Sequence, residues 1–204
     1  YIISHVNIDG ENQEGTILDA EESGRVVIMD GALGNTLMDF TITGGLQISG
    51  ANSSDNPYKY CGAGMFLTLS SPILTNISII DNNADNGGGL YLYYSDPLLT
   101  NMYINGNRAE GEPYGSGGGM LLRHSNPTLS NVIISENYAA HASGGLDLTY
   151  SDPILTNVAI HGNTSGSYGA MLANRSDPIL TNVTISENIS SYYGASVSLY
   201  ISEA

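Results

Sequence analysis

Apolar and polar residues alternate along this chain in short stretches, which is the period-2 pattern of β-strands and not the spacing of an amphipathic helix. Leu90 and Leu92, then Leu99, then Met102 and Ile104 predict three short strands within one unit. The same alternation returns in the units that follow. The pattern therefore predicts an all-β chain assembled from repeats.

Prolines mark the repeat. Pro72, Pro97, Pro127, Pro153 and Pro178 recur at intervals of 25, 30, 26 and 25 residues. Most lie in a segment like SDPILTNVAI, and about twenty residues later each unit has a glycine pair or its substitute, as in GGGL and YGAM. Three short strands per turn of about 25 residues, separated by Gly, Asn and Ser-Asp-Pro corners, predict a parallel β-helix.

The chain forms one continuous domain with two parts, which differ in how regular their sequence repeats are. Residues 61–204 form the regular repeats, and residues 1–60 are predicted to form irregular N-terminal turns of the same β-helix. Strand candidates in the N-terminal part are residues 6–8, 17–19, 26–29 and 40–43. The longest unit has its extra residues in the segment 108–117, a loop where function is expected on a solenoid.

Two N-terminal segments and one later segment resemble a known type of repeat protein. GTILDAEESGRVVIMDG and LMDFTITGG resemble the opening turns of right-handed parallel β-helix repeat proteins with the pectate lyase-like fold, and GGGLYLYYSDPLLTNMYINGN resembles their later turns. The resemblance covers nearly the whole chain. It implies a right-handed β-helix and, because such proteins are common among secreted bacterial proteins, an extracellular or cell-surface location. It assigns no activity, since the repeats encode turns and core.

Asparagines recur at two corners of the predicted turn. One column is Asn76, Asn101, Asn131, Asn157 and Asn182, and the other is Asn82, Asn107, Asn137, Asn163 and Asn188. Stacked turns lie ~4.8 Å apart, so side-chain amides can hydrogen-bond from turn to turn as they do in cross-β stacks. We interpret both columns as inward-facing structural ladders.

Charge limits the partners of this chain. Lys and Arg total 5 against 20 Asp and Glu, which gives a net charge of -15. So few cations leave little with which to neutralise phosphates, and we expect neither nucleic acid nor an anionic membrane surface as a partner. No apolar run is long enough for a transmembrane helix, so membrane insertion is not expected. The single Cys61 cannot form an internal disulfide.

The strand after each glycine pair carries the candidate functional residues. Its outward positions include Tyr91, Tyr93, Arg123, Asp147 and Asn174, which we predict to form a carbohydrate-binding strip on a solvent-facing surface. Tyrosine rings stack on sugars, while Arg123 and Asp147, one turn apart, can pair with each other or contact a sugar. The alternative interpretation is an aromatic and salt-bridged solvent face without a ligand.

An enzyme would use the same strip. Arg123 and Asp147 are the catalytic candidates for a polysaccharide lyase or glycoside hydrolase. A hydrolase needs two carboxylates ~5 to 9.5 Å apart, and Asp147 has no outward acidic neighbour on its predicted sheet. A lyase of the resembled type implies acidic calcium ligands, which no position here matches as a unit.

No cofactor is expected, with calcium as the open alternative. Asp152 and Asp177 occupy the same Ser-Asp-Pro corner on adjacent turns, so their carboxylates could share an ion. The competing interpretation, which we favour, is that these side chains fold back on the backbone and stabilise the turn.

These patterns predict a structural or adhesive extracellular β-helix, a segment of a larger surface protein or filament, with polysaccharide as a further contact. The expected partners are the rest of a larger chain or a second copy stacked end to end, because exposed strand edges promote association. The alternative is a polysaccharide lyase or glycoside hydrolase domain.

Overall fold

The structure is a computed structural model that describes residues 2, 4–48, 60–194 and 196–200. Within these residues there is no helix, and the chain winds into a parallel β-solenoid of about 7 turns with roughly 26 residues per turn. The prediction of a parallel β-helix with three strands per turn is confirmed. The described part of the chain offers no helix that could cross a membrane.

The strands are numbered in chain order. The N-terminal part contains β1 (Ile8–Asp9), β2 (Ile17–Asp19), β3 (Val27–Asp30), β4 (Thr36–Thr43) and β5 (Leu46–Gln47). The regular part contains β6 (Met65–Thr68), β7 (Ile73–Ile80), β8 (Asn83–Ala84), β9 (Leu90–Tyr93), β10 (Leu98–Asn105), β11 (Arg108–Ala109), β12 (Met120–Arg123), β13 (Thr128–Ser135), β14 (Tyr138–Ala139), β15 (Leu146–Thr149), β16 (Ile154–His161), β17 (Thr164–Ser165), β18 (Met171–Asn174), β19 (Ile179–Ser186), β20 (Ile189–Ser190) and β21 (Val197–Tyr200).

Three parallel sheets form the walls of the solenoid. Sheet I contains β3, β6, β9, β12, β15, β18 and β21; sheet II contains β1, β2, β4, β7, β10, β13, β16 and β19; sheet III contains β5, β8, β11, β14, β17 and β20. From β3 onward, each turn passes through sheets I, II and III in that order. Strands of the N-terminal part pair directly with strands of the regular part, so both belong to one stack.

The division of each turn into strands differs from the prediction in one respect. Leu99, Met102 and Ile104 lie on the single eight-residue strand β10, and the third strand is the two-residue β11. Leu99 and Met102 are both buried although they are three residues apart. Asn101 lies between them in the left-handed conformation, with a φ of 53°, and this interrupts the in–out alternation of side chains by one residue. Asparagine tolerates this conformation better than most residues.

The core runs the length of the stack between the sheets. Its side chains come from the inward positions of sheets I and II, such as Leu122, Leu148, Leu129 and Leu155, all fully buried. The strand register places equivalent apolar residues of successive turns side by side, as with Leu122 of β12 and Leu148 of β15. Each turn therefore completes its apolar contacts only against its neighbours.

The second asparagine column is a buried ladder at the corner between sheets II and III. In the middle of it, Asn137 donates from Nδ2 to Oδ1 of Asn163 at 2.9 Å and to the carbonyl oxygen of Ile104 at 3.0 Å. Its own Oδ1 accepts from the backbone N–H of Asn107 at 2.9 Å. The same bonds link the other members of the column from Asn82 to Asn188.

The first asparagine column is also hydrogen-bonded, but it faces outward. Asn131 donates to Oδ1 of Asn101 at 3.2 Å, and Asn157 donates to Oδ1 of Asn131 at 3.1 Å. These three side chains are exposed on the outer surface of sheet II. The prediction that this column points inward is wrong, because the left-handed backbone at each asparagine turns its side chain away from the core.

Candidate functional site

A groove with a volume of about 440 Å³ lies on the outer face of sheet I. Four of the residues predicted to contact glycan line it together, namely Tyr91, Arg123, Asp147 and Asn174. A second groove of about 240 Å³ shares Tyr168, Leu172 and Asn174 with the first and reaches Tyr200 on β21. The two form one elongated depression that crosses successive turns.

Two columns of outward side chains form the floor. In the first column the strand pairing aligns Ile28, Phe66, Tyr91, Leu121, Asp147 and Leu172. In the second column it aligns Thr68, Tyr93, Arg123, Thr149 and Asn174. Both columns face away from the core, yet most of the first column is buried and much of the second is not.

Glycine corners between sheets III and I explain why the first column is buried. A Cβ added to Gly87 would lie 2.9 Å from Cβ of Tyr91, and one added to Gly117 would lie 2.9 Å from Cβ of Leu121. Both glycines have positive φ, 59° and 65°. The backbone therefore folds over the column at a distance that a larger residue would not permit.

Tyr91 is a packing residue. Its side chain is 1% exposed and belongs to a small apolar cluster with Cys61, Phe66 and Leu121. Its ring lies 5.4 Å from the ring of Phe66 and 6.5 Å from that of Tyr93. The prediction that Tyr91 offers an exposed ring to a sugar is therefore wrong, and Tyr93 is only half-exposed at the edge of the same cluster.

Asp147 is a buried carboxyl in the floor of the groove. It is 4% exposed, and the strand pairing places it between Leu121 and Leu172. Burial raises the pKa of Asp147 to about 6, against smaller opposing effects of the Arg123 guanidinium and of a hydrogen bond from the Ser143 backbone. The prediction of a solvent-facing Asp147 is wrong, although its place beside Arg123 is as expected.

Arg123 differs from the other described arginines in its surroundings. Arg25 lies 4.8 Å from the Phe66 ring, and Arg175 lies 5.0 Å from the Tyr150 ring. Arg108 forms an ion pair with Glu110 at 2.6 Å and lies over the ring of Tyr138. Within the described part of the chain, the exposed Arg123 guanidinium has neither an ion pair with a carboxylate nor a ring contact of this kind.

The loop 108–117 supplies one wall of the groove. Its Tyr114 is 71% exposed, lines the groove and packs edge-on against His141 with ring centroids 6.0 Å apart. Glu110 of the same loop accepts hydrogen bonds from Asn83 and Arg108, which lower the pKa of Glu110 and anchor the start of the loop. The insertion thus brings an aromatic side chain to the groove, as loops on solenoids commonly do.

A tyrosine cluster supplies another wall. Tyr168 stacks on Tyr193 at 5.1 Å and meets Tyr200 edge-on at 5.7 Å. The hydroxyls of Tyr168 and Tyr200 are hydrogen-bonded at 3.3 Å, and this bond is the main reason why the pKa of Tyr168 rises to about 12. The sequence predicted function in the loop that carries Tyr114 but did not connect this loop with the strip. Tyr168 was missed, because it lies in a corner and not on the strand that carries the predicted strip.

The Ser-Asp-Pro corners are held by two further sets of hydrogen bonds. The backbone N–H of Asp177 donates to Oδ1 of Asp152 at 2.6 Å, and that of Asp152 donates to Oδ1 of Asn126 at 2.6 Å. The preceding serines, which are buried except for the half-buried Ser176, are linked in the same way, as in Ser125 N–H to Oγ of Ser151 at 3.1 Å. The carboxylates thus bind the backbone of the next turn instead of folding back on their own.

Calcium gains no support from these corners. Asp152 and Asp177 are exposed, and one oxygen of Asp152 is already occupied by the Asp177 N–H. Among the described residues no group of three or more His, Cys, Asp or Glu side chains is placed to hold a metal ion.

An aromatic stack that sequence reasoning also missed lies on the corner between sheets I and II. Tyr94, His124 and Tyr150 stack with ring centroids 4.7 and 5.0 Å apart and interplanar angles of 5°. Each precedes the serine of its corner and has a φ near 50°. The ring faces pack against one another, so mainly the ring edges of the stack are exposed to solvent.

Comparisons of this chain with protein-family models, with curated proteins and with solved structures yield no match. A functional proposal for this chain therefore rests on the groove and its chemistry.

Proposed function

We propose that this chain is a structural or adhesive extracellular β-solenoid, a segment of a larger surface protein or filament, whose groove on sheet I binds glycan. The observation that carries the glycan contact is the combination of tyrosine walls, Tyr114 and Tyr168, with the polar side chains of Arg123, Asp147 and Asn174. Aromatic rings beside hydrogen-bonding groups match the alternation of apolar faces and hydroxyls on a sugar.

The charge of the groove favours a neutral glycan. Asp147 is the only carboxylate among the described residues that line it, and Arg123 is the only arginine or lysine. The described lining therefore carries no more than one charge of either sign, and the net charge of -15 repels polyanions over a longer range. A hydroxyl-rich, uncharged oligosaccharide is therefore the ligand class that this groove suits.

Calorimetric titration of the chain with neutral hexasaccharides of glucose, xylose and mannose tests this proposal. We expect Tyr114→Ala to weaken binding about fivefold, since an aromatic contact is worth ~1 kcal/mol. The matched control is Tyr103→Ala, an exposed tyrosine on sheet II, which should bind as the parent chain does. Equal loss in both variants, or no binding to any hexasaccharide, would contradict the glycan proposal.

The filament part of the proposal can be tested at the last described turn. Leu180, Val197 and Leu199 occupy core columns but are exposed, whereas Leu155 and Met171, at the positions before them, are fully buried. A further stacked turn would cover this apolar face and pair with β19, β20 and β21. Electron microscopy at dilute and concentrated protein tests stacking between copies, for which we expect rods that lengthen with concentration.

Catalysis is a second candidate, and the raised pKa of Asp147 is the observation that favours it. A carboxyl that protonates near pH 6 suits a general acid. A hydrolase needs a second carboxylate, and the described groove lining contains none. If the chain is a lyase or hydrolase, release of reducing or unsaturated ends from polysaccharides should be abolished in Arg123→Ala and Asp147→Asn. Activity that survives both changes would remove them from the mechanism.

A further inference from the structure

The buried carboxyl of Asp147 has few partners for a charged group. It lies between Leu121 and Leu172, and its hydrogen bond comes from the backbone N–H of Ser143. No ion pair within 4 Å joins it to Arg123 among the described residues. An ionised carboxylate has room for about four hydrogen bonds, so most of this capacity is unfilled.

A ligand in the groove would make the charged form still less favourable. Asp147 keeps a small exposed fraction, 4%, through which water can reach it from the groove. A glycan over the floor would remove that water, and burying a charge without compensating hydrogen bonds is costly. A neutral carboxylic acid avoids this cost and can donate a hydrogen bond to a sugar oxygen.

We propose that Asp147 binds the glycan as a neutral carboxylic acid that donates a hydrogen bond to a ligand oxygen, so that binding takes up one proton from solvent. This inference rests on the proposed glycan binding and adds how the site recognises its ligand. It makes adhesion stronger in mildly acidic surroundings.

The effect of Asp147 on the pH dependence of binding must be distinguished from the effects of the other ionisable groups in the groove. They are Cys61, Tyr91, Tyr114, Arg123, His141 and Tyr168. Burial raises the pKa of Cys61 to about 11, and the hydrogen bond with Tyr200 raises the pKa of Tyr168 to about 12, so both stay protonated at neutral pH. His141 lies in the groove beside Tyr114, so it requires its own variant.

The size of the effect follows from the fraction of Asp147 that is protonated before binding. With a pKa of about 6, that fraction is about 3% at pH 7.5 and about 76% at pH 5.5. If only the protonated form binds, affinity rises about 25-fold between these two pH values. At pH 7 each binding event should take up about 0.9 proton.

Calorimetric titration with the tightest-binding of the neutral hexasaccharides, in two buffers of different ionisation enthalpy, measures the affinity and the proton uptake together. The parent chain and His141→Gln should show the 25-fold rise and the uptake. Asp147→Asn, which stays neutral, should bind with an affinity that does not change with pH and should take up no proton. Asp177→Asn removes an equal charge outside the groove and should behave as the parent chain.

The possible results separate this inference from the proposed function. Binding without proton uptake, or an Asp147→Asn variant that keeps the pH dependence, would overturn the inference and leave glycan binding intact. No binding by the parent chain at either pH would overturn both. Carbon NMR of the Asp147 carboxyl in the parent chain, with and without the hexasaccharide, needs no variant. A pKa that does not rise on binding would also overturn the inference.

Discussion

Asp147 shows how much one side chain depends on its surroundings. Burial between two leucines raises its pKa from 3.8 to about 6, which means that the folded chain holds this proton more tightly than the unfolded chain. Stability from this group is therefore greatest at low pH and falls as the pH rises from about 4 to about 6. Above that window the folded state contains a buried charge with little compensation.

Asp147→Asn should consequently stabilise the chain at neutral pH. Because about two pKa units correspond to ~3 kcal/mol, we expect the free energy of unfolding at pH 7.5 to rise by about 1–3 kcal/mol. The gain should largely disappear at pH 3.5, where Asp147 is mostly protonated in both states. Urea unfolding at both pH values checks this, with the exposed Asp177→Asn as control. Equal stability of variant and parent chain at pH 7.5 would be inconsistent with a buried, ionised Asp147.

At the scale of elements, the two asparagine columns look alike in sequence but differ in what they stabilise. Asn137 of the buried column bonds backbone and side-chain groups in neighbouring turns, and without its side chain the buried backbone N–H of Asn107 would lose its partner. Asn131 of the exposed column bonds only other exposed asparagine side chains, and its loss leaves groups that water can satisfy.

We therefore expect Asn137→Ala to lower the free energy of unfolding by about 3–5 kcal/mol, since each buried unsatisfied group costs ~1–3 kcal/mol. The matched change in the exposed column is Asn131→Gly, which removes the amide and keeps the left-handed φ of 56° accessible. That variant should lose less than about 1 kcal/mol. Chemical denaturation of the two variants compares them directly, and similar losses would argue against a special role for the buried ladder.

At the scale of the whole molecule, the described turns share one core. The large buried cluster extends from Val27 in the N-terminal part to Ala173 near the other end. Turns of a solenoid contact mainly their neighbours, so damage in one turn spreads along the stack. The N-terminal and regular parts differ in sequence regularity but are joined by strand pairing in all three sheets.

Leu148→Asp places a charge in the middle of this core, at a fully buried position. Because a buried, unpaired charge is among the most destabilising changes known, we expect a loss of more than about 4 kcal/mol and the joint unfolding of several turns. Ile133→Asp introduces the same group at an exposed position of β13 and should lower the melting temperature far less. Thermal melts followed by circular dichroism check both. An unchanged melting temperature for Leu148→Asp would contradict the inward assignment.

Much of the fold and part of the site follow from the sequence alone. A parallel solenoid can be predicted from the alternation of Leu90 and Leu92 and from the spacing of the prolines. Strand periodicity and repeat length are properties of the local sequence, and each stacked turn repeats them. The sequence also predicts that successive turns bring together Arg123, Asp147 and Asn174. A constant register places equivalent positions of neighbouring turns side by side.

The remaining features were decided by tertiary contacts between residues far apart in sequence. Whether Asn131 faces in or out depends on a left-handed backbone inside a continuous strand, which alternation does not show. The burial of Asp147 depends on how the chain around it packs over an outward face, and the groove walls depend on which corners reach that face. Tyr114 and Tyr168 come from corners of different turns, so only the stacked molecule brings them together around one carboxyl.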